Sequence, residues 1–383
     1  MNPQLRIAID GRSLQGERTG VGTYTSNLLE QLLMIDPSIG IILALNRDPP
    51  PPESRLERIQ ALMVPSAFSN NFYWTNVSLP IRLKLRSFDV FHSPGYTLPI
   101  RLPVPRAVTI HDVSYAAHPE WYPHRHGPLR RRWYRASALK AGCILTDSEF
   151  SRREIVRVYG IPSEKITVTP LGVDRRKFAR TGNPETQDNL KRSYGIEGDF
   201  LLFVGDIHRR RNVRRIIEAF GALREKGFPA LELVLIGRIL DDSVSAREIS
   251  SIRHGQSIHA LGRVPEAHLA AFYSMARAFI FPSFYEGFGL GVAEAMACGC
   301  PVITGKGTAC EEVAGDAAIL VDPSDTKSIF DAAFEILENR ELAARYSEAG
   351  LRRSERFSWR NTAEKTLAAY RQLASNRGNS RSR

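Results

Sequence analysis

The chain has 383 residues, 43% of them hydrophobic and 24% charged, the balance of an ordinary globular protein. The formal charge of +11 and a pI near 9.7 favour anionic partners: a nucleotide, a phospholipid head group or nucleic acid. With no apolar run of eighteen residues, no signal-peptide core and only four cysteines, the expectation is a reduced, cytoplasmic protein without a membrane span or disulfide framework.

The length exceeds what one hydrophobic core usually supports, so two domains are expected. In chain order, short apolar runs at Leu5–Ile9, Ile41–Leu45, Val90–His92, Val108–Ile110 and Cys143–Thr146 read as strands. Helical patterns at Tyr24–Met34, Leu129–Lys140 and Ser151–Tyr159 alternate with them. Pro49–Pro52 reads as a stiff turn. A polar stretch with Gly182, Pro184 and Gly195 reads as a linker over 173–197.

A second alternation follows, with strands at Phe200–Val204, Leu231–Ile236, Ile258–Ala260, Ala278–Phe281, Pro301–Ile303 and Ala318–Val321. Its helices are Val213–Lys226, Pro265–Met275, Leu290–Ala297 and Thr326–Glu338. Trp359–Leu373 reads as a last amphipathic helix, and the Arg/Ser/Asn tail over 375–383 as disordered. The fold class is therefore α/β: two Rossmann-like domains, residues 1–172 and 198–358, with parallel sheets. Ligands of such sheets bind beyond the carboxyl ends of the strands, so two domains facing each other would enclose one deep cleft.

The residues that carry chemistry sit just after strands. Tyr285-Glu-Gly-Phe-Gly-Leu-Gly-Val-Ala-Glu294 leaves a strand and enters a helix. Three glycines there would cost a structural helix about 1 kcal/mol each, whereas bare backbone at a helix start suits a phosphate. Glu294 lies about one turn inside, roughly 6 Å along the axis, and Glu286 lies on the other side of that seat. Two acids flanking an anion site match a nucleotide sugar, with hydroxyls on both sides of its diphosphate. A lone Glu294 would read only as a carboxylate favoured by the helix dipole.

Val204-Gly-Asp-Ile-His-Arg-Arg-Arg-Asn212 occupies the strand-to-helix junction that opens the second domain. An arbitrary triple arginine is a solvated face; at a first crossover it can grip phosphate oxygens. His111 and Asp112 leave the strand that ends near Ile110. Gly16-Glu-Arg-Thr-Gly20-Val-Gly22-Thr-Tyr24 opens the first helix but lacks the third glycine of a dinucleotide fingerprint. That argues against a nicotinamide-dependent oxidoreductase.

Phe281-Pro-Ser-Phe-Tyr-Glu-Gly-Phe-Gly-Leu, together with Glu294-Ala-Met-Ala-Cys-Gly-Cys-Pro-Val, resembles the donor signature of glycosyltransferase family four (group one), retaining enzymes of the GT-B fold. By that resemblance Glu286 contacts hydroxyls of the transferred sugar and Glu294 holds the ribose. The backbone N–H groups of Phe288, Gly289 and Leu290 meet sugar and diphosphate. Arg210 matches the family arginine of the diphosphate grip, beside Gly205, and Arg211 stands where the family has lysine. Val264, in Leu261-Gly-Arg-Val-Pro265, falls in the segment that reads the base. The family has His-Asp at His111 and Asp112, which gives His111 a role in binding the sugar or positioning the acceptor. Gly20, Gly22, Tyr24 and Asp112 go to the acceptor side. Gly291, where the family often has proline, and Glu311 depart from the pattern without removing a functional group.

The resemblance implies a hexosyltransferase with Glu286, His111, Arg210 and Arg211 at the catalytic centre and residues 359–374 as a helix returning to the first domain. The chain contains no Asp-x-Asp, so no metal and no other cofactor is expected. No side chain is an obvious nucleophile, which leaves same-face attack and a covalent intermediate open. Ile-Asp-Gly-Arg, Thr-Gly-Val-Gly-Thr-Tyr and the Val-Gly-x-Ile pattern look most like mannosyltransferases of surface-polysaccharide assembly. GDP-mannose is thus the first donor expected, with UDP- or dTDP-sugars next and a glycan or lipid-linked glycan as acceptor. A catalytically silent binding subunit would normally have lost some of Glu286, Glu294, His111 and Arg210, all of which are present. Finally, His124–Arg135 holds five arginines with Trp133 and Tyr134. It reads either as a charged helix face or as peripheral contact with anionic lipid on the inner membrane face. No motif points to nucleic acid.

Overall fold

The computed structural model describes residues 5–16, 19–47, 59–66, 68, 70–122, 127–240 and 257–381. The Pro49–Pro52 turn, Glu17 and Arg18 of the glycine-rich loop, and His124 and Arg125 of the basic stretch lie outside them. The chain divides into two compact units, Met1–Gly172 with Trp359–Arg383, and Val173–Ser358.

Unit 1 is built on seven parallel strands: β1 (Arg6–Asp10), β2 (Gly40–Leu45), β3 (Gln60–Met63), β4 (Val90–Ser93), β5 (Arg106–Thr109), β6 (Cys143–Thr146) and β7 (Ile166–Val168). Their spatial order is β3-β2-β1-β4-β5-β6-β7, so the winding reverses between β1 and β4. Inner strands such as β4 and β6 are buried at every position because helices cover both faces. The helices are α1 (Gly20–Ile35), α2 (Pro128–Lys140) and α3 (Glu149–Tyr159), with a helical segment over 71–83 and short turns between. Thr19 caps α1 by accepting from Gly22 N–H, and Ser148 caps α3 by accepting from Ser151 N–H.

Unit 2 holds α4 (Pro184–Ser193) and a six-stranded parallel sheet: β8 (Phe200–Val204), β9 (Glu232–Ile236), β10 (Ile258–Gly262), β11 (Ala278–Phe281), β12 (Val302–Gly305) and β13 (Ile319–Val321). The order β10-β9-β8-β11-β12-β13 reverses between β8 and β11. Its other helices are α5 (Val213–Glu225), α6 (Glu266–Met275), α7 (Leu290–Ala297), α8 (Ala309–Ala314), α9 (Thr326–Glu338) and α10 (Arg340–Ser354). All four cysteines are free and buried.

The last helix, α11 (Trp359–Arg381), belongs to unit 1. Tyr370 OH is hydrogen-bonded to His92 Nδ1 at 2.6 Å, which pins α11 to β4. Thr362 Oγ1 donates to the carbonyl of Pro170 at 2.5 Å.

Two expectations are corrected here. The stretch 173–197, expected as a linker between the domains, falls within unit 2 and contains α4, whose Glu185 near the start and Lys191 and Arg192 near the end complement the helix dipole. The tail expected to be disordered from 375 continues α11 to Arg381, because extending an existing helix is far easier than starting one.

Candidate functional site

In unit 2 the loops after β8 and β11 meet where the strand order reverses, the place where open α/β sheets bind ligands. The β8 loop makes a 3₁₀ turn over Arg209–Arg211, started by His208, whose side chain accepts from Arg210 N–H. Asn212 ends it in the left-handed region at φ 59° and spends its amide on the carbonyls of Pro282 and Pro323, at 3.3 and 2.6 Å. Phe284 N–H donates to the Arg210 carbonyl at 2.7 Å. The arginine turn is thereby stitched to the loop that carries Glu286.

Glu286 is buried, and both arginines reach it. Arg211 Nε donates to Oε1 at 3.1 Å, and Arg210 Nη2 lies 3.5 Å from Oε2. Arg211 also donates from Nη1 to the carbonyl of Asp206 at 3.0 Å. Gly205, at φ +147°, makes room for it: a Cβ there would stand 2.4 Å from Arg211 Nη1. Arg210 and Arg211 keep 18% and 20% of their side-chain surface exposed, so the cations are fixed yet reachable.

Gly289 caps α7 with φ +95°, and its missing Cβ would fall 2.7 Å from Cys310 Sγ. Neither feature tolerates a side chain. The N–H groups of Phe288, Gly289, Leu290 and Gly291 donate to no described residue. A helix start in that state can seat an anion. Within α7, the half-buried Glu294 accepts from Tyr273 OH at 3.3 Å. Burial pushes the Glu294 carboxyl up to about 8, against the opposing effect of the Tyr273 hydrogen bond.

In unit 1, His111 has both ring nitrogens engaged, Nδ1 with Asp147 Oδ2 at 2.8 Å and Nε2 with the Pro94 carbonyl at 3.1 Å. Burial opposes the charged ring, but two facing acceptors outweigh it and raise the His111 pKa. Beyond the carboxyl ends of β1, β2 and β4 lies a cavity of about 370 Å³. Asp10, Arg12, Gln15, Asn46, Asn71 and Trp133 are among its walls. Arg12 forks onto Asp10, with Nη2 to Oδ2 at 2.6 Å and Nε to Oδ1 at 3.0 Å.

Glycosyl transferases group 1 match this chain over residues 186–353, and Glycosyltransferase Family 4 matches over 18–177. O-antigen chain mannosyltransferase B of Escherichia coli is 34% identical over 289 residues, 74% of each chain. The chain belongs to the group 1 glycosyltransferases. A second relative of this glycosyltransferase, MMP alpha-(1->4)-mannosyltransferase of Mycolicibacterium hassiacum, is 27% identical over 74% of this chain and 70% of that protein. Sucrose-phosphate synthase from Thermosynechococcus elongatus superposes with a TM-score of 0.77 at 19% identity, covering 97% of this chain and all of that one. That likeness shows the GT-B fold.

In this glycosyltransferase Glu286, Arg210, Arg211 and Gly205 gather at one switch point, beside the open amides that run from Phe288 to Leu290. Val264 sits past β10, the sheet's outer strand, two places from β8. On the acceptor side the expectations need correcting. Tyr24 is 1% exposed and its hydroxyl is bonded to Thr109 Oγ1 at 3.0 Å, so the ring is core beside His111, not a surface for ligand. Asp112 is buried and accepts from Ser114 N–H and Oγ, at 2.9 and 2.7 Å; it closes a turn. Gly22 is buried under the carbonyl of Ser13, 2.5 Å from where its Cβ would be, so it serves packing. Gly20 stays exposed at the start of α1. Sequence reasoning gathered these residues into no cavity, although Asp10, which ends β1, and Arg12 close an apolar strand, which was a usable signal.

Proposed function

We propose that the chain transfers mannose from GDP-mannose to a hydroxyl of a glycan or lipid-linked glycan, with retention of anomeric configuration and without a metal ion. One observation carries the reading: a buried acid, Glu286, is held by two arginines beside a row of unspent amides. Two relatives that are mannosyltransferases support the choice of sugar.

The donor diphosphate lies over the start of α7, against the N–H groups of Phe288, Gly289 and Leu290. Glu286 accepts hydroxyls of the sugar, and Glu294 those of the ribose. As the bond from the anomeric carbon to the diphosphate oxygen breaks, its electron pair stays on that oxygen. The acceptor oxygen bonds to the anomeric carbon, and its proton passes to the departing diphosphate. Arg210 and Arg211 face the growing charge, as a divalent cation would elsewhere. Preorganised donors of this kind supply several kcal/mol of barrier lowering. His111 positions groups on the unit 1 side, with its ring held by Asp147 and Pro94. The cavity of unit 1 receives the acceptor, its amides and arginine serving hydroxyl-rich rings.

The test is a thermal-shift titration with GDP-mannose, UDP-glucose and dTDP-rhamnose, with and without chelator, followed by detection of mannosylated acceptor. GDP-mannose at 100 times its Kd raises stability by about 2.7 kcal/mol, with or without chelator. Stabilisation by UDP-glucose alone, or only with divalent metal present, refutes the donor or the metal assignment respectively.

A further inference from the structure

We infer that one face of unit 1 docks on an anionic lipid bilayer. The inference is independent of the donor assignment. Ten of the eleven exposed large apolar side chains among the described residues belong to unit 1, and Ile239 is the exception. Several lie on the helical segment 71–83 and the turn after it. That segment is an α-turn over Asn71–Tyr73, a π-turn over Trp74–Ser78 and an α-turn over Leu79–Leu83.

The π-turn decides which residues share a face. Leu79 N–H bonds to the Trp74 carbonyl, five residues back. In a plain α-helix Val77 would stand about 140° around the axis from Phe72. The wider turn returns it toward the same side, and steps of four then carry the stripe to Ile81 and Leu85. Exposure agrees: Ile81 is 57% and Leu85 79% exposed, while Trp74, Leu79 and Leu83 face the core.

Across the surface, Phe72 meets Trp133 of α2 edge-on at 5.1 Å, so the stripe continues onto the arginine-rich helix, where Leu129 is 80% exposed. Cations intersperse the apolar groups: Arg82, Lys84 and Arg86 on one side, Arg130 and Arg132 on the other, all exposed. No acidic residue occurs in 58–88 or in 121–146. Long cations beside short apolar anchors suit a head-group layer, where the stems lie in the acyl boundary and the charged ends reach phosphate. Asn71, Arg130 and Trp133 also line the cavity, so the stripe leads directly to it.

Vesicle co-sedimentation of the full chain tests this. Binding to phosphatidylglycerol-containing vesicles is expected, with little binding to pure phosphatidylcholine and a decline with salt. Replacing Arg82, Lys84 and Arg86 by Gln weakens partition by about 100-fold, the product of roughly fivefold per cation at an anionic leaflet. Ile81→Ser with Leu85→Ser weakens it by at least about tenfold, while Ile239→Ser changes nothing. All variants retain the thermal melt and the turnover of a water-soluble acceptor. Equal binding of the stripe variants and the parent, or no preference for anionic vesicles, overturns the inference. So does a parent that ignores vesicles but forms a dimer that the Ile81 and Leu85 changes break, since the stripe would then be a protein interface.

Discussion

Arg211 Nε donates to Glu286 Oε1 over 3.1 Å, joining the loop after β8 to the loop after β11 where the second sheet reverses its strand order. Residues 75 positions apart thus become one unit, in which a buried carboxylate and two guanidinium groups orient each other. Four outcomes test that cluster, the helix start beside it and, separately, the anchoring of α11 in unit 1.

Glu286→Gln keeps the shape and removes the charge that holds both arginines. We expect kcat/KM to fall by about 10²–10³-fold, with Arg210→Ala in the same range and both variants folded. Near-parental turnover in both, measured by GDP release, would remove Glu286 and Arg210 from the catalytic centre.

Two glycines of one motif should respond in opposite directions. Gly289→Ala forces a side chain to φ +95° and against Cys310, costing about 1–3 kcal/mol and distorting the anion seat. At Gly291 a Cβ meets Phe279 and Tyr273 at 3.4 Å, an ordinary contact, and Ala gains up to about 1 kcal/mol of helix propensity. Melting temperatures and donor Kd values for the pair decide the matter; similar losses in both would contradict it.

Glu294 links binding and stability to pH. Its carboxyl titrates near 8 in the folded protein against a usual 4.5, so the folded state holds a proton that the unfolded chain releases. Stability therefore falls as pH rises between those values. Glu294→Gln should melt like the parent near pH 4 and above it near pH 8. Ribose hydroxyls favour the ionised form, so parental donor affinity should strengthen from about pH 6 to 8. A flat difference in melting temperature across that window would exclude the linkage.

Tyr370→Phe leaves His92 Nδ1 buried without its hydrogen-bond partner. A loss of about 1–3 kcal/mol is expected, with faster amide exchange concentrated in α11. Burial holds the His92 pKa down at about 3, so this penalty should stay constant through neutral pH. Unchanged exchange in α11 would show that packing alone anchors the helix.

Where local chemistry sufficed, the sequence was readable. Cys143–Thr146, Phe200–Val204 and Ala278–Phe281 are strands at the positions their apolar runs mark, because strands buried on both faces need such runs. Leu290–Ala297 and Thr326–Glu338 are likewise helices with the expected bounds. The motif after β11 announced the family, since few structures need that many glycines around two acids. Edge strand β3 escaped notice because only Leu62 of its four residues is buried, and β7 because three residues make no pattern.

Partnership was beyond the sequence. Glycine spacing could not show that Tyr24 points into the core, that Asp112 closes a turn, or that His111 has both nitrogens engaged. Nor could it show the π-turn that aligns Phe72 with Val77, or a cavity gathered from segments between Asp10 and Tyr134. Propensity and periodicity act over a few residues, whereas side-chain hydrogen bonds and cavity walls join groups that only the packed sheets bring within reach.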